Sequence, residues 1–123
     1  MLKIENLVCG YGRMQVLDNV SLEIGAESVG LFGPNGAGKT TLISAVMGMI
    51  KPWKGNIEFE GEKLIGKETF HMARLGIALV PQERELFPWM SVEDNLTLER
   101  HIFRMQRIRR PSRWRRCLRF SRF

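Results

Sequence analysis

The sequence predicts an α/β fold in which a buried strand, a glycine-rich loop and a helix follow one another directly, beside a small antiparallel β-subdomain. Three observations support this fold class. Residues 28–32 are almost wholly apolar, as in a strand that is buried on both faces of a parallel sheet. Residues 33–39 hold three glycines and a lysine, and the apolar residues of 40–49 recur at helical spacing.

The remaining elements follow from local patterns. Residues 2–8 and 20–24 alternate apolar and polar side chains, and residues 56–60 repeat this alternation after a turn at 52–55. We expect these three segments to form the small antiparallel sheet. Residues 77–80 resemble 28–32 in being apolar throughout, and they predict a second buried strand.

A further helix is predicted to begin after Ser91. Asp94 lies three residues later, and apolar residues follow at Val92, Leu96 and Leu98. A hydroxyl residue and an acid at this spacing are typical of a capping box, in which side chains pair with the unpaired N–H groups of a helix start.

Composition limits the class of protein. The chain has 123 residues, of which 44% are hydrophobic, so we expect one globular domain at most. Cys9 and Cys117 are too far apart in sequence for a metal knuckle or a redox pair, and two thiols are too few for a disulfide framework, which favours a reducing cytosol. Neither a signal peptide nor an apolar run of about 20 residues is present, so no transmembrane segment is predicted.

The charge divides the chain into two parts. Residues 1–99 hold nine Lys or Arg and thirteen Asp or Glu, whereas residues 100–123 hold ten arginines and no acid. We therefore predict a folded domain over residues 1–98 and a separate arginine-rich tail over residues 99–123.

The glycine loop has the pattern of a phosphate-binding loop. Gly33, Gly38, Lys39 and Thr40 match G-x-x-x-x-G-K-[ST], in which backbone N–H groups and the helix N-terminus surround phosphate oxygens. The lysine would reach the β- and γ-phosphates of ATP, and the threonine hydroxyl would ligate Mg²⁺. The alternative is a glycine-rich turn with a surface lysine.

Three motifs in order resemble those of a known family. GPNGAGKTT at 33–41, preceded by YG at 11–12 and followed by LVPQERELFPWMSVEDNL at 79–96, is similar to the N-terminal half of the ATP-binding subunit of an ABC transporter. The resemblance covers residues 1–98 and implies a P-loop NTPase core with a small antiparallel β-subdomain. ARLGIALVPQ at 73–82 and the following LFP resemble subunits of branched-chain amino acid importers, with urea-type importers close behind.

The resemblance implies a set of nucleotide contacts. Tyr11 would stack on adenine, the alternative being a turn residue that caps the first strand. Val16 would line the sugar side, the alternative being plain core. The phosphates and Mg²⁺ would be held by the loop, which comprises Gly33, Pro34, Asn35, Gly36, Ala37, Gly38, Lys39, Thr40 and Thr41.

Gln82 matches the glutamine of the family's Q-loop. It would contact Mg²⁺ and the attacking water, because an amide both donates and accepts hydrogen bonds. It would also link the nucleotide site to the membrane subunit. The alternative is a solvated loop residue after Pro81. Thr40 and Gln82 are thus the two expected metal ligands.

The family resemblance also implies partners. The region 83–98 would dock onto a transmembrane permease subunit, with Phe87 and Trp89 as anchors, because aromatic residues are enriched at interface cores. The alternative is that both rings fold back on the helix as local core. A second ATP-binding subunit is the other expected partner, and the location implied is the cytoplasmic face of the membrane, as a peripheral protein.

Beyond residue 98 the sequence departs from the family pattern. The LSGGQ signature, the Walker B strand ending in Asp, the catalytic Glu and the switch His have no counterpart, and neither His71 nor His101 lies in a switch context. We therefore expect a fold truncated before the helical subdomain and the Walker B strand, without catalytic residues, that binds ATP but does not hydrolyse it.

The tail admits two interpretations. Its arginines and aromatic residues are consistent with binding RNA or anionic lipid, which would make the chain a non-hydrolytic nucleotide or polyanion binder. Arginine is the only residue among Lys, Arg, Asp and Glu that the tail contains after Glu99, and this abrupt change in composition fits better with a frameshifted or truncated gene product. Nucleic acid is not the expected partner. Binding through the tail should fall steeply with log salt, whereas Mg·ATP in a loop should respond far less.

Overall fold

The structure, a computed structural model, describes residues 1–82 and 86–105, and of residues 99–105 it describes the backbone alone. The chain divides into two compact units, one over Met1–Leu79 and one that begins at Val80. Most of the arginine tail therefore lies outside the described residues.

The first unit contains a four-stranded antiparallel sheet. β1 and β2 form a hairpin closed by the two-residue loop Gly12–Arg13, and β3 pairs with the other edge of β1. The strand order is β2-β1-β3-β4, with bounds Leu2–Tyr11, Met14–Ile24, Lys54–Phe59 and Glu62–Lys63. The three strands predicted from alternation are confirmed, although β1 and β2 are longer than expected.

Helix α1, Lys39–Val46, confirms the helix predicted after the glycine loop. It ends in a Schellman motif, in which the N–H of Gly48 donates to the Ala45 carbonyl at 3.2 Å and the N–H of Met49 to the Ser44 carbonyl at 2.9 Å. Gly48 has a φ of +70°, the left-handed conformation that this motif requires at the position after the cap.

The core of this unit lies between the sheet and α1. Cys9 belongs to it, and burial raises the pKa of its thiol, which keeps it in the unreactive protonated form. The buried residues are Ile4, Leu7, Cys9, Leu17, Leu42, Ala45, Met47, Ile57, Leu64 and Met72. The last of these lies on a short helix, α2, Thr69–Arg74, which the sequence did not predict.

The two predicted buried strands were wrong. Residues 28–32 and 77–80 form no strand, and Phe32 is 93% exposed. An extended segment becomes a strand only when neighbouring strands pair with its N–H and C=O groups, and no strand among the described residues pairs with either segment. Ile77 alone packs at the edge of the core.

The second unit contains helix α3, Val92–Met105, whose predicted start is confirmed. The N–H of Asp94 donates to Ser91 Oγ at 3.1 Å, and Ser91 Oγ donates to Asp94 Oδ2 at 2.6 Å. The helix continues through residue 98, and the division of the chain at that residue stays a prediction. In the described part of the chain, no helix has the length and apolar character needed to cross a membrane.

Candidate functional site

The glycine loop takes a backbone conformation that needs glycine at two places. Gly36 and Gly38 have φ values of +84° and +90°, where an L side chain is strained. Gly38 also lies against β2, because a Cβ built on it would be 2.7 Å from Leu17 Cδ2 and 3.3 Å from Val16 Cγ1. The loop is thus seated on the sheet at the position where α1 begins.

Lys39 closes the loop on itself. Its Nζ donates to the carbonyl oxygens of Gly33 and Pro34, each at 2.7 Å. An ammonium group has three donors, so one N–H is left for another acceptor. The positive charge is thus held at the first two residues of the loop, where it is available to an anionic ligand.

The start of α1 supplies further donors. The first helical hydrogen bond runs from the N–H of Leu42 to the Gly38 carbonyl at 2.8 Å, so the N–H groups of Lys39, Thr40 and Thr41 precede the helical ladder. Gly38 offers no side chain to cap them, and the first turn carries no acid. A phosphate group fits here, because it pairs with unpaired N–H groups and with the positive end of the helix.

Two predicted nucleotide contacts lie next to the loop. Tyr11 ends β1 with about half of its surface exposed, and Thr41 Oγ1 donates to its hydroxyl oxygen at 3.5 Å. Val16 is half-buried on β2 and borders Gly38. The structure therefore brings Tyr11, Val16 and the loop together, while their contacts with a nucleotide stay predictions.

The two predicted metal ligands differ in their setting. Thr40 is exposed on the first turn of α1, beside the donors just described. Gln82 is exposed at a bend in the second unit, and its role at the metal stays a prediction. The described residues contain no cluster of three acidic, histidine or cysteine side chains, while Mg²⁺ needs only one or two protein ligands when phosphates and waters supply the rest.

The region 83–98 is described except for residues 83–85. Phe87 and Trp89 are exposed in the second unit, Trp89 to 96%, so they do not form the local core that was the alternative interpretation. Sequence reasoning missed Asn95, whose side chain makes four hydrogen bonds to residues 87–91. The signal available was an amide residue one helical turn after the predicted cap, Ser91.

The loop, the helix that it opens and the adjacent sheet are the parts of a fold of the P-loop NTPase type. A family model described as "ABC transporter" matches residues 17–121. The chain belongs to this family, and its N-terminal part is an ABC transporter ATP-binding domain.

Known proteins of this family resemble the chain over most of its length. A probable ABC transporter ATP-binding protein of Azorhizobium caulinodans is 42% identical over 105 residues, which are 85% of this chain and 37% of that protein. The high-affinity branched-chain amino acid transport ATP-binding protein BraG of Pseudomonas aeruginosa is 39% identical over 99 residues, 80% of this chain and 42% of BraG. The chain thus spans about two fifths of the length of these curated relatives.

A solved structure supports the fold. A dimeric ATP-binding cassette in a post-hydrolysis state, bound to ADP and Pi, is 25% identical and superposes with a TM-score of 0.70. The match covers 94% of this chain and 53% of that one. The structure is therefore an α/β fragment of the P-loop NTPase type, as the sequence predicted.

Proposed function

We propose that the chain binds Mg·ATP at residues 33–41 as the ATP-binding part of an ABC importer. The observation that carries this proposal is the Lys39 ammonium bonded to two carbonyls at the start of the loop, in a segment whose end supplies three N–H groups that precede the helical ladder. A positive charge and free N–H donors on one short loop are what a triphosphate requires.

Each residue of the site has a task in this proposal. Lys39 binds the β- and γ-phosphates, and the loop N–H groups bind the remaining phosphate oxygens. Thr40 and Gln82 are the residues that would hold Mg²⁺, which would supply neutralising positive charge to the phosphates. Tyr11 stacks on adenine and Val16 borders the sugar.

The transported substrate in this proposal is a branched-chain amino acid. The support is the motif resemblance at residues 73–82 and the name of the relative BraG.

The partner in this proposal is a transmembrane permease at the cytoplasmic face, contacted through residues 83–98. Glu93 and Asp94 are exposed near Trp89 in sequence, and this acidic surface would attract the cytoplasmic loops of a membrane protein, which are enriched in Lys and Arg.

A second ATP-binding subunit completes the proposed assembly, which the dimeric form of the similar cassette supports.

We propose further that the 123-residue chain binds ATP without hydrolysing it. Catalysis of phosphoryl transfer consists almost wholly of positioning and electrostatic stabilisation, and the sequence holds no acid after Glu99 to position metal or water.

Isothermal titration calorimetry with Mg·ATP tests the binding proposal. Lys39→Ala should lower the affinity by roughly 10- to 150-fold, since a hydrogen bond to a charged group contributes about 1.5–3 kcal/mol. Lys51→Ala, which removes an exposed lysine that lies beyond the end of α1, is the matched control and should leave the affinity unchanged. Equal affinity of the wild type and Lys39→Ala would refute the site.

The same titration separates the loop from the tail. If the arginine tail bound the nucleotide, Lys39→Ala would have no effect and the affinity would fall steeply with log salt. Loss of binding in Lys39→Ala at constant salt excludes that alternative.

A further inference from the structure

The exposed aromatic residues of the second unit lie on a tight turn. The N–H of Met90 donates to the carbonyl of Phe87 at 3.1 Å, which closes a four-residue turn over residues 87–90. Pro88 occupies the second position, where its fixed φ favours a turn of this kind. Trp89 occupies the third position and is almost fully exposed.

One side chain fixes this turn to α3. Asn95 Oδ1 accepts from the N–H of Phe87 at 3.0 Å, and the two N–H groups of Asn95 Nδ2 are shared among the carbonyls of Phe87 at 3.1 Å, Met90 at 3.2 Å and Ser91 at 3.0 Å. The N–H of Asn95 donates to the carbonyl of Ser91 at 3.0 Å as part of the helix. Both backbone polar groups of Phe87 are thus paired by one amide that the helix holds in place.

Only an amide at this position makes the full set of bonds. A carboxylate would still accept from the N–H of Phe87, but it would direct lone pairs at three carbonyl oxygens. None of the turn residues belongs to the core cluster found among the described residues. The bonds of Asn95 restrict the backbone under an exposed indole, and that restriction favours binding when the indole contacts a partner.

We propose that Asn95 is a positioning residue that holds the turn of residues 87–90 in its docking conformation, so that Trp89 meets the membrane partner as a preformed anchor. The proposal rests on the docking role given to residues 83–98 above. A side chain and loop that are already ordered lose less conformational entropy on binding, and preorganisation therefore raises the affinity without adding a contact.

Time-resolved fluorescence anisotropy of Trp89 tests the positioning without any partner. Trp53→Phe and Trp114→Phe leave Trp89 as the one indole of the chain. In this background Asn95→Asp should raise the amplitude of the fast depolarisation by about twofold, because nanosecond motion of the turn is released. Thr97→Ala, on the same helix, is the matched control and should leave the decay unchanged.

A second variant separates positioning from loss of the helix. Ser91→Ala removes the cap of α3 while leaving the Asn95 amide in place. Far-UV circular dichroism of Asn95→Asp should match the wild type, with Trp89 released. An unchanged anisotropy decay in Asn95→Asp overturns the proposal. The proposal is also overturned if Asn95→Asp and Ser91→Ala release Trp89 to the same extent and lose the same amount of helix signal, because loss of the helix would then explain the release.

Cosedimentation with urea-stripped membrane vesicles from the source cell tests the docking step. Asn95→Asp should bind the vesicles about tenfold more weakly than the wild type. If Trp89→Ala binds as well as the wild type, the docking role is wrong. The anisotropy experiment needs no partner, so it still tests whether Asn95 holds the turn in place. If Trp89→Ala weakens binding and Asn95→Asp does not, docking stands and the positioning role falls.

Discussion

Two glycines of the phosphate loop have the same backbone conformation but different surroundings, and this difference predicts their mutational cost. Gly36 and Gly38 have φ values of +84° and +90°. A Cβ on Gly36 would meet nothing within 4 Å, whereas one on Gly38 would be 2.7 Å from Leu17 Cδ2. Gly36→Ala and Gly38→Ala therefore differ in one physical respect, the contact with β2.

The magnitudes follow from these contacts. Both substitutions force an L residue into the left-handed region, which costs roughly 1–2 kcal/mol of folding free energy. Gly38→Ala adds overpacking, because Leu17 is a buried core residue that cannot swing away freely, and overpacking costs about 1–3 kcal/mol. We expect Gly38→Ala to lower the free energy of unfolding by about 2–5 kcal/mol and Gly36→Ala by about 1–2 kcal/mol.

Urea-induced unfolding followed by circular dichroism measures both values with the same slope analysis. The difference between the variants, about 1–3 kcal/mol, is a substantial fraction of the 5–15 kcal/mol that is typical of a domain. Equal destabilisation would show that the loop is not seated on β2 and would refute the reasoning. Leu17→Ala alone should destabilise the core, but in a double-mutant cycle with Gly38→Ala the combined cost should be less than the sum of the two, because the shorter side chain makes room for the new methyl group.

Two further predictions concern the nucleotide. Tyr11→Phe should keep the affinity for Mg·ATP within about twofold, whereas Tyr11→Ala should lower it by roughly 5- to 150-fold, because stacking contributes about 1–3 kcal/mol. Calorimetry with pyrophosphate, which has no base to stack, should show the same affinity for the two variants. Phosphate release by the 123-residue chain at saturating Mg·ATP should not exceed that of Lys39→Ala; magnesium-dependent release clearly above the variant would contradict binding without turnover.

The sequence predicted the elements whose signals are local. Alternation predicted the sheet, and the spacing of Ser91 and Asp94 predicted the start of α3. Within residues 1–24 the sequence predicted strands only over residues 2–8 and 20–24, so the tight hairpin that joins β1 and β2 at Gly12–Arg13 was missed. In the structure Gly10 pairs with Gln15, and a Cβ on it would be 2.0 Å from the Met14 carbonyl, so this glycine permits close approach of two strands.

The sequence predicted the residues of the site whose signals are local, but not the contacts between them. The residues of the loop follow from a motif, but the pairing of Lys39 with the carbonyls of Gly33 and Pro34 depends on where the loop folds back. The bonds of Asn95 to Phe87 span eight residues and combine a turn with a helix, which no single periodicity records. Helix α2 was missed because six residues are too few to show a helical period.

The error over residues 28–32 bears on how the loop is held. An apolar sequence indicates that a segment is stable when it is covered, but it does not say what covers it, and a buried strand also needs partners for its backbone. Since no strand pairs with this segment among the described residues, no ladder anchors Gly33 from its N-terminal side. The loop is seated instead from its C-terminal side, by Gly38 against Leu17, and is closed by Lys39. Lys39 therefore organises the cradle as well as supplying its charge, so loss of affinity in Lys39→Ala combines both effects.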